Sequence, residues 1–288
     1  MKNIQNHTGD LLLDLRDHTN CDLQLKPKQF PDYTVLFITE GSGLYHADFG
    51  TFPFNAPVLM FATPLQHIYL SSETPLQYTA LRFHGDFYCI EYHKAQVACN
   101  GLLFNNIYIE PSVVLTNEDA AAFGRMFADM AAEFNAPDPD DMVLRSYLQL
   151  LLAKSSNIKR RTMKKESLLP EKDEQMEAFA KLIDAHYLEL HKPADYAKLL
   201  AMSPNNLSKR SMRYFRKSPS ALIQERLITE AKKRLHLTRQ SIKEIAYSLN
   251  FEDEFYFSRF FKKLTTVSPQ TFRDKTGISI VADLPPAK

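Results

Sequence analysis

The sequence predicts two domains of different class: an all-β barrel or sandwich carrying two helices, followed by an all-α domain built around two helix-turn-helix units. Three observations carry this reading. The chain has 288 residues, more than one ordinary domain of about 100 to 150 residues accounts for. Its charge is divided, since residues 1–157 hold 9 Lys+Arg against 18 Asp+Glu, net −9, and residues 158–288 hold 26 against 16, net +10. Its hydrophobic pattern changes from strand-like to helical after Pro111 and stays helical beyond it.

With 44% hydrophobic and 24% charged residues the chain can furnish a core. No apolar run approaches the roughly 18 residues needed to span a bilayer, so a soluble protein with no membrane partner is expected. The N-terminus sets Asp10 and Asp14 around three consecutive leucines and has no basic leader, which speaks against a signal peptide and for a cytoplasmic location. Cys21, Cys89 and Cys99 match neither a disulfide framework nor a zinc site and read as buried reduced thiols.

Residues 23–109 carry strand punctuation. Tyr33-Thr-Val-Leu-Phe-Ile-Thr39 runs into Glu40-Gly-Ser-Gly43, and further β-rich pieces are set off by Pro53, Pro57, Pro64 and Pro75. Such spacing suits a small sandwich or barrel, whose interior can enclose a ligand cavity. Past Pro111, Phe123, Met126, Phe127, Met130 and Phe134 recur on one helical face behind the cap candidates Thr116 and Asn117, and Asn135-Ala-Pro-Asp-Pro-Asp140 ends that helix. A second helix is expected over 141–156, with Leu144, Tyr147, Leu148 and Leu151 as its stripe. The pair either covers the sheet or pairs between subunits. Residues 158–170, with Lys159, Arg160, Arg161, Lys164 and Lys165, have no apolar period and read as a basic linker. The expected organisation is therefore a domain at 1–157, a linker at 158–170 and a second domain at 171–288.

In that second domain the helix starts are explicit. Ser203-Pro204, Ser218-Pro219 and Ser268-Pro269 each offer a Ser N-cap followed by Pro at the first helical position, and Ser241-Ile-Lys-Glu244 is a capping box. About seven helices are expected beyond residue 171. Within them lies an internal repeat: Leu207-Ser-Lys209 and Phe257-Ser-Arg259 stand 50 residues apart, as do Ser218-Pro219 and Ser268-Pro269. Each copy reads helix, tight turn, helix. The small Ala197 and Ala246 let the two helices cross closely, while Leu207 and Phe257 fill the space beneath. The outer faces of the second helices then offer Asn205, Asn206, Ser208, Lys209, Arg210 and Arg213 in one copy and Glu254, Tyr256, Arg259, Lys262 and Lys263 in the other. Asn, Lys and Arg make directed bonds to purine edges, and cations further along neutralise phosphates, so these faces point to DNA reading.

Phe251-Glu-Asp-Glu-Phe-Tyr-Phe-Ser-Arg-Phe-Phe-Lys-Lys263, followed by Ser268-Pro-Gln-Thr-Phe-Arg273, resembles the C-terminal signature of the arabinose-regulator (AraC/XylS) family of bacterial transcription factors. The resemblance covers roughly residues 176–273. It implies two helix-turn-helix units joined by a long helix at about 219–237, with recognition helices at about 204–215 and 254–264. It also implies double-stranded promoter or operator DNA as partner, a homodimer, RNA polymerase as a further partner and a small-molecule effector. Three positions depart from the family pattern: Asn250, Arg216 and Thr266 stand where glycine is usual, and the last two are expected to alter the exits of the recognition helices. The acidic run Glu252-Asp-Glu254 is unusual for a DNA face. It complements the helix dipole, accepts from cytosine amino groups, or weakens that half of the contact.

The strand-rich half resembles, more weakly, the cupin-like sensor domain of that family. Pro31-Asp-Tyr33 stands about where cupin enzymes hold paired histidines, which leaves His67 as the one plausible ligand; His46 and His84 lack the spacing. No metal, no cofactor and no catalytic residue are therefore expected. The alternative class, a metal-dependent cupin enzyme with a helical appendage, is separable by metal analysis.

Overall fold

A computed structural model of the chain describes residues 3–5, 11–19, 23, 26–90, 102–166 and 173–278. Cys21, Cys99 and the end of the expected linker lie outside these residues. The chain divides into two compact units, Met1–Asn106 with Glu110–Leu168, and Ile107–Ile109 with Leu169–Lys288.

The first unit contains β1 (Asn3–Gln5), β2 (Leu11–Thr19), β3 (Tyr33–Glu40), β4 (Ser42–Ala47), β5 (Gly50–Asn55), β6 (Val58–Ala62), β7 (Ile68–Ser71), β8 (Gln77–Phe83) and β9 (Ser112–Val114). They form a six-stranded sheet in the order β1-β2-β8-β3-β6-β9 and a three-stranded sheet in the order β5-β4-β7, all antiparallel. Of the barrel-or-sandwich expectation, the open two-sheet form is found and the closed barrel is not. Period-2 side-chain alternation explains the layering. On β3, Val35 and Phe37 join one buried cluster while Leu36 and Ile38 join another. The second cluster lies between the sheets, where Phe52 and Phe54 of β5 meet Met60 of β6 and Leu70 of β7.

Between β3 and β4 the chain passes from one sheet to the other at Gly41, whose φ of 99° and whose ideal Cβ, 2.4 Å from Leu76 Cδ2, leave room for glycine alone. Pro53 does not end a strand, as its punctuation suggested. It lies inside β5, an edge strand, where a missing N–H is tolerated.

The other face of the large sheet is covered by α1 (Asn117–Asn135) and α2 (Asp141–Glu166). The whole stripe of α1, Phe123 through Phe134, and Leu144, Leu148 and Leu151 of α2 are buried with Val35, Phe37, Leu59 and Phe61. Burial of each such side chain supplies roughly 1.5 to 3 kcal/mol. Of the two uses left open for these stripes, covering the sheet is the one observed. Thr116 caps α1 through a capping box with Asp119.

One expectation is corrected here. Residues 158–166 are not linker: α2 continues to Glu166, with Ile158 buried and Lys159 Nζ donating to the carbonyls of Glu110 (3.0 Å) and Ser112 (2.7 Å). The leucine patch near the N-terminus belongs to β2, in which Asp14 is buried because Arg82 stands opposite it on β8 and Arg16 Nε lies 2.8 Å away.

The second unit contains α3 (Glu174–His186), α4 (Pro193–Leu199), α5 (Pro204–Phe215), α6 (Pro219–Leu237), α7 (Ile242–Ser248), α8 (Glu254–Thr265) and α9 (Pro269–Thr276). Each Ser-Pro pair starts a helix as the sequence predicts: Ser203, Ser218 and Ser268 accept from the N–H groups of Asn206, Ala221 and Thr271 at 3.1 to 3.2 Å. Helix α6 serves both repeats. Its Leu222 and Ile223 are buried with Phe179, Tyr196 and Leu207, and near its other end Lys232 lies over the Phe272 ring of α9. Ile107 enters the first of these cores, and the Tyr108 hydroxyl donates to Ala180 O at 3.2 Å.

Candidate nucleic-acid interface

Both copies of the repeat are built from a short helix, a turn with one left-handed residue and a longer helix. In the first, Ala201 takes φ 51° and Met202 N–H returns to Ala197 O at 2.9 Å, while Ala197 and Leu207 are buried at the crossing of α4 and α5. In the second, Asn250 takes φ 62°, Phe251 N–H returns to Ala246 O at 3.0 Å, and Ala246 and Phe257 are buried between α7 and α8. Asn tolerates this conformation, and its Nδ2 also donates to Leu188 O at 3.1 Å. The second turn holds one residue more, so α4 and α7 are offset by 49 residues although α5 and α8 are offset by 50.

Leu207, Ser211 and Phe215 form the buried stripe of α5, and Phe257, Phe261 and Thr265 that of α8. At about 100° per residue the opposite face of each helix consists of five matching positions. On α5 these are Asn205, Asn206, Lys209, Met212 and Arg213; on α8 they are Phe255, Tyr256, Arg259, Lys262 and Lys263, and all ten are exposed. The two outer faces thus carry five cations between them.

Not every residue named from the sequence lies on these faces. Ser208 and Glu254 are half-buried, on the flanks of their helices. Arg210 is held by α3: its Nε donates to Asp173 Oδ2 at 3.0 Å, and its two terminal nitrogens engage Asp173 Oδ1 and Gln175 Oε1. Partial burial pushes the Asp173 carboxyl upward, but the Arg210 guanidinium and the Met176 N–H outweigh this and hold it below the usual range. Asp173 in turn caps α3. Phe255 and Met212 were missed, although the 50-residue offset alone maps them onto Asn205 and Lys262.

The acidic run divides by role. Asp253 caps α8, accepting from Phe255 N–H at 3.1 Å and Tyr256 N–H at 2.8 Å, while Glu252 is exposed. The exits keep the geometry that glycine would give: Arg216 takes φ 59° and Thr266 φ 66°, both left-handed. The expectation of altered exits is not met.

A family profile described as a helix-turn-helix domain matches residues 196–275. The helical half contains a helix-turn-helix domain. The chain is 32% identical over 117 residues to the arabinose operon regulatory protein of Salmonella typhimurium, a match covering 40% of this chain and 42% of that protein. It is 32% identical over 109 residues to the protein of that name from Escherichia coli, covering 38% and 37%. The match therefore spans about two fifths of these relatives' length. Among solved structures, ToxT from Vibrio cholerae aligns over 92% of this chain and 99% of its own at 16% identity and a TM-score of 0.39. The C-terminal domain of a response regulator from Fusobacterium nucleatum aligns over 35% and 99% at 24% identity and a TM-score of 0.33. Among the described residues, no three metal-ligating side chains converge in the β-rich first unit. There His67 N–H donates to Asp48 Oδ1 at 3.0 Å, and His46 Nδ1 lies 3.1 Å from Thr51 Oγ1. Cys89 is half-buried and not in a disulfide. No helix of the described residues is long and apolar enough to cross a membrane.

Proposed function

We propose that the chain is a sequence-specific, DNA-binding transcriptional regulator of the cytoplasm and not an enzyme, with its first unit receiving the controlling signal. One observation carries this reading. Two equivalent helix faces, offset by 50 residues and set on a common scaffold helix, present Lys209, Arg213, Arg259, Lys262 and Lys263 outward with amide and aromatic groups at their N-terminal ends. A reading helix contacts base edges with its N-terminal residues. Phosphates are met by cations around that contact. On this reading Asn205, Asn206 and Lys209 of α5, and Tyr256 and Arg259 of α8, face bases, while Arg213, Lys262 and Lys263 engage phosphates. Ser208 and Glu254 flank the contact, and Arg210 supports it from behind.

The matched relatives regulate the arabinose operon, and the class of activity is taken from them without the sugar. A small-molecule effector acting through the two-sheet unit is part of this proposal. The apolar side chains that α2 leaves exposed, Met142 and Leu150, suit a second copy of the chain. RNA polymerase is a further partner in this proposal.

The test is selection of duplexes from a randomised pool by the full chain, followed by titration of the selected duplex at rising salt. Neutralising several phosphates should give a steep fall in affinity with salt, with log–log slope about −0.9 per phosphate contacted. Failure to enrich any duplex, together with absence of binding at low salt, would overturn the reading.

A further inference from the structure

Resting on that reading, we infer that the two helices read different base chemistry, and that Phe255 makes the second half-site depend on the thymine 5-methyl group.

The positions at stake are the outward pairs in the first turns of the two reading helices. Helix α5 presents Asn205 and Asn206 there. Helix α8 presents Phe255 and Tyr256 at the equivalent positions, and these two rings are 67% and 56% exposed. They contrast with Phe257 and Phe261 on the same helix, which are fully buried. The exposure is fixed by the local backbone. Asp253 takes the N–H groups of both Phe255 and Tyr256, so the first turn of α8 is closed and its side-chain directions are set. Tyr256 is braced from behind, its ring centroid 5.9 Å from that of Phe251. The Phe255 ring therefore stands outward on the face that carries Arg259 and Lys262 one and two turns further on.

An Asn amide can bond N6 and N7 of adenine in the major groove. A phenyl ring can do neither, since it has no donor and no acceptor for a purine edge. The largest apolar group on a major-groove base edge is the methyl group of thymine, and contact with it is the favourable use of an exposed Phe at that place. The cations beside it hold the helix to the phosphates whatever the bases are, so Phe255 adds selectivity and little overall charge attraction. The half-site of α5 is then specified by adenine hydrogen-bonding groups and that of α8 by a methyl group.

Deoxyuridine differs from thymidine by that methyl alone, which makes the test direct. The full chain is titrated against a duplex it has selected from a random pool, and against the same duplex with deoxyuridine in place of thymidine in one half-site at a time. The half-site of α5 is identified as the one whose base preferences are lost in Asn206→Ala. Removing one contacted methyl should weaken binding about fourfold, the factor that burial of one methylene-sized group supplies. The loss is expected in the α8 half-site and not in that of α5. Phe255→Ser should bind the thymidine duplex several-fold more weakly and no longer distinguish it from the deoxyuridine duplex. Phe255→Leu, which keeps an apolar tip, should retain the distinction and guards against a folding defect in the serine variant. Indifference of the unmutated chain to deoxyuridine in both half-sites, or undiminished discrimination by Phe255→Ser, would overturn the inference while leaving DNA binding intact. Failure to select any duplex would instead overturn the functional reading on which it rests.

Discussion

Arg210 donates from Nε to Asp173 Oδ2 at 3.0 Å, so a cation on a reading helix is committed to the N-cap of a neighbouring one. Lys209, its neighbour in sequence, is exposed on the outer face. This separates two arginine-or-lysine roles that look alike along the chain. Arg210→Ala is expected to lower the stability of the helical unit by about 0.5 to 1 kcal/mol, a modest figure because the pair is partly solvent-exposed. Its DNA affinity well below the melting temperature should change less than that of Lys209→Ala. Denaturant melts and titrations of both variants check this.

Lys217 and Glu225 form a buried pair, with Nζ 2.6 Å from Oε2, and Nζ also donates to Ile107 O at 3.1 Å. Removing the carboxylate leaves a desolvated ammonium. Glu225→Ala should therefore cost about 3 to 5 kcal/mol in urea denaturation, several times the effect of Arg210→Ala.

Thr266 takes φ 66° at the exit of α8, a conformation that a β-branched residue adopts at a cost. Thr266→Gly should stabilise the helical unit by about 1 kcal/mol, less whatever its own hydroxyl bond to Thr265 O contributes. A rise in melting temperature with unchanged salt dependence of DNA binding is the expected result.

Asp32 is 2% exposed, and its Oδ2 has no hydrogen-bond partner. Burial pushes its carboxyl up to about 6, reinforced by Asp14 and opposed by Arg82. Because this value is raised in the folded state, the stabilising contribution is complete below pH about 4 and is lost as pH rises to about 6, amounting to at most roughly 3 kcal/mol. Melts of the full chain at pH 5 and pH 7 should show the first unit relatively more stable at the lower pH than its Asp32→Asn variant predicts. The variant should lose this part of the pH dependence.

The helical unit was legible in the sequence because its signals are local. A Ser-Pro pair fixes a helix start through groups three residues apart, as at Pro219, and the end of that helix at Leu237 is where the family resemblance implied it. What escaped was decided by distant partners. The charge at Asp14 hid strand β2, since its burial is made tolerable by the cross-strand Arg82 together with Arg16. The polar end of α2 passed for a linker because what holds it, the carbonyls of Glu110 and Ser112 around Lys159 Nζ, is nearly fifty residues away. On the candidate interface, residue type found Lys209, Arg213, Arg259, Lys262 and Lys263, but it overlooked Phe255, whose apolar side chain reads as core. It also counted Arg210, whose commitment to Asp173 requires the fold to be seen.

The central claim is that one chain reads two half-sites with α5 and α8 together. Their common attachment to α6 should place the half-sites on one face of the duplex, with centres about 10 base pairs apart in successive major grooves. The deciding measurement is the affinity of the full chain for its selected duplex before and after inserting about 5 base pairs, half a helical turn, between the half-sites. A fall toward the affinity of unselected DNA is the predicted result. Unchanged specific affinity would contradict the account, since it would mean that a single helix reads the sequence.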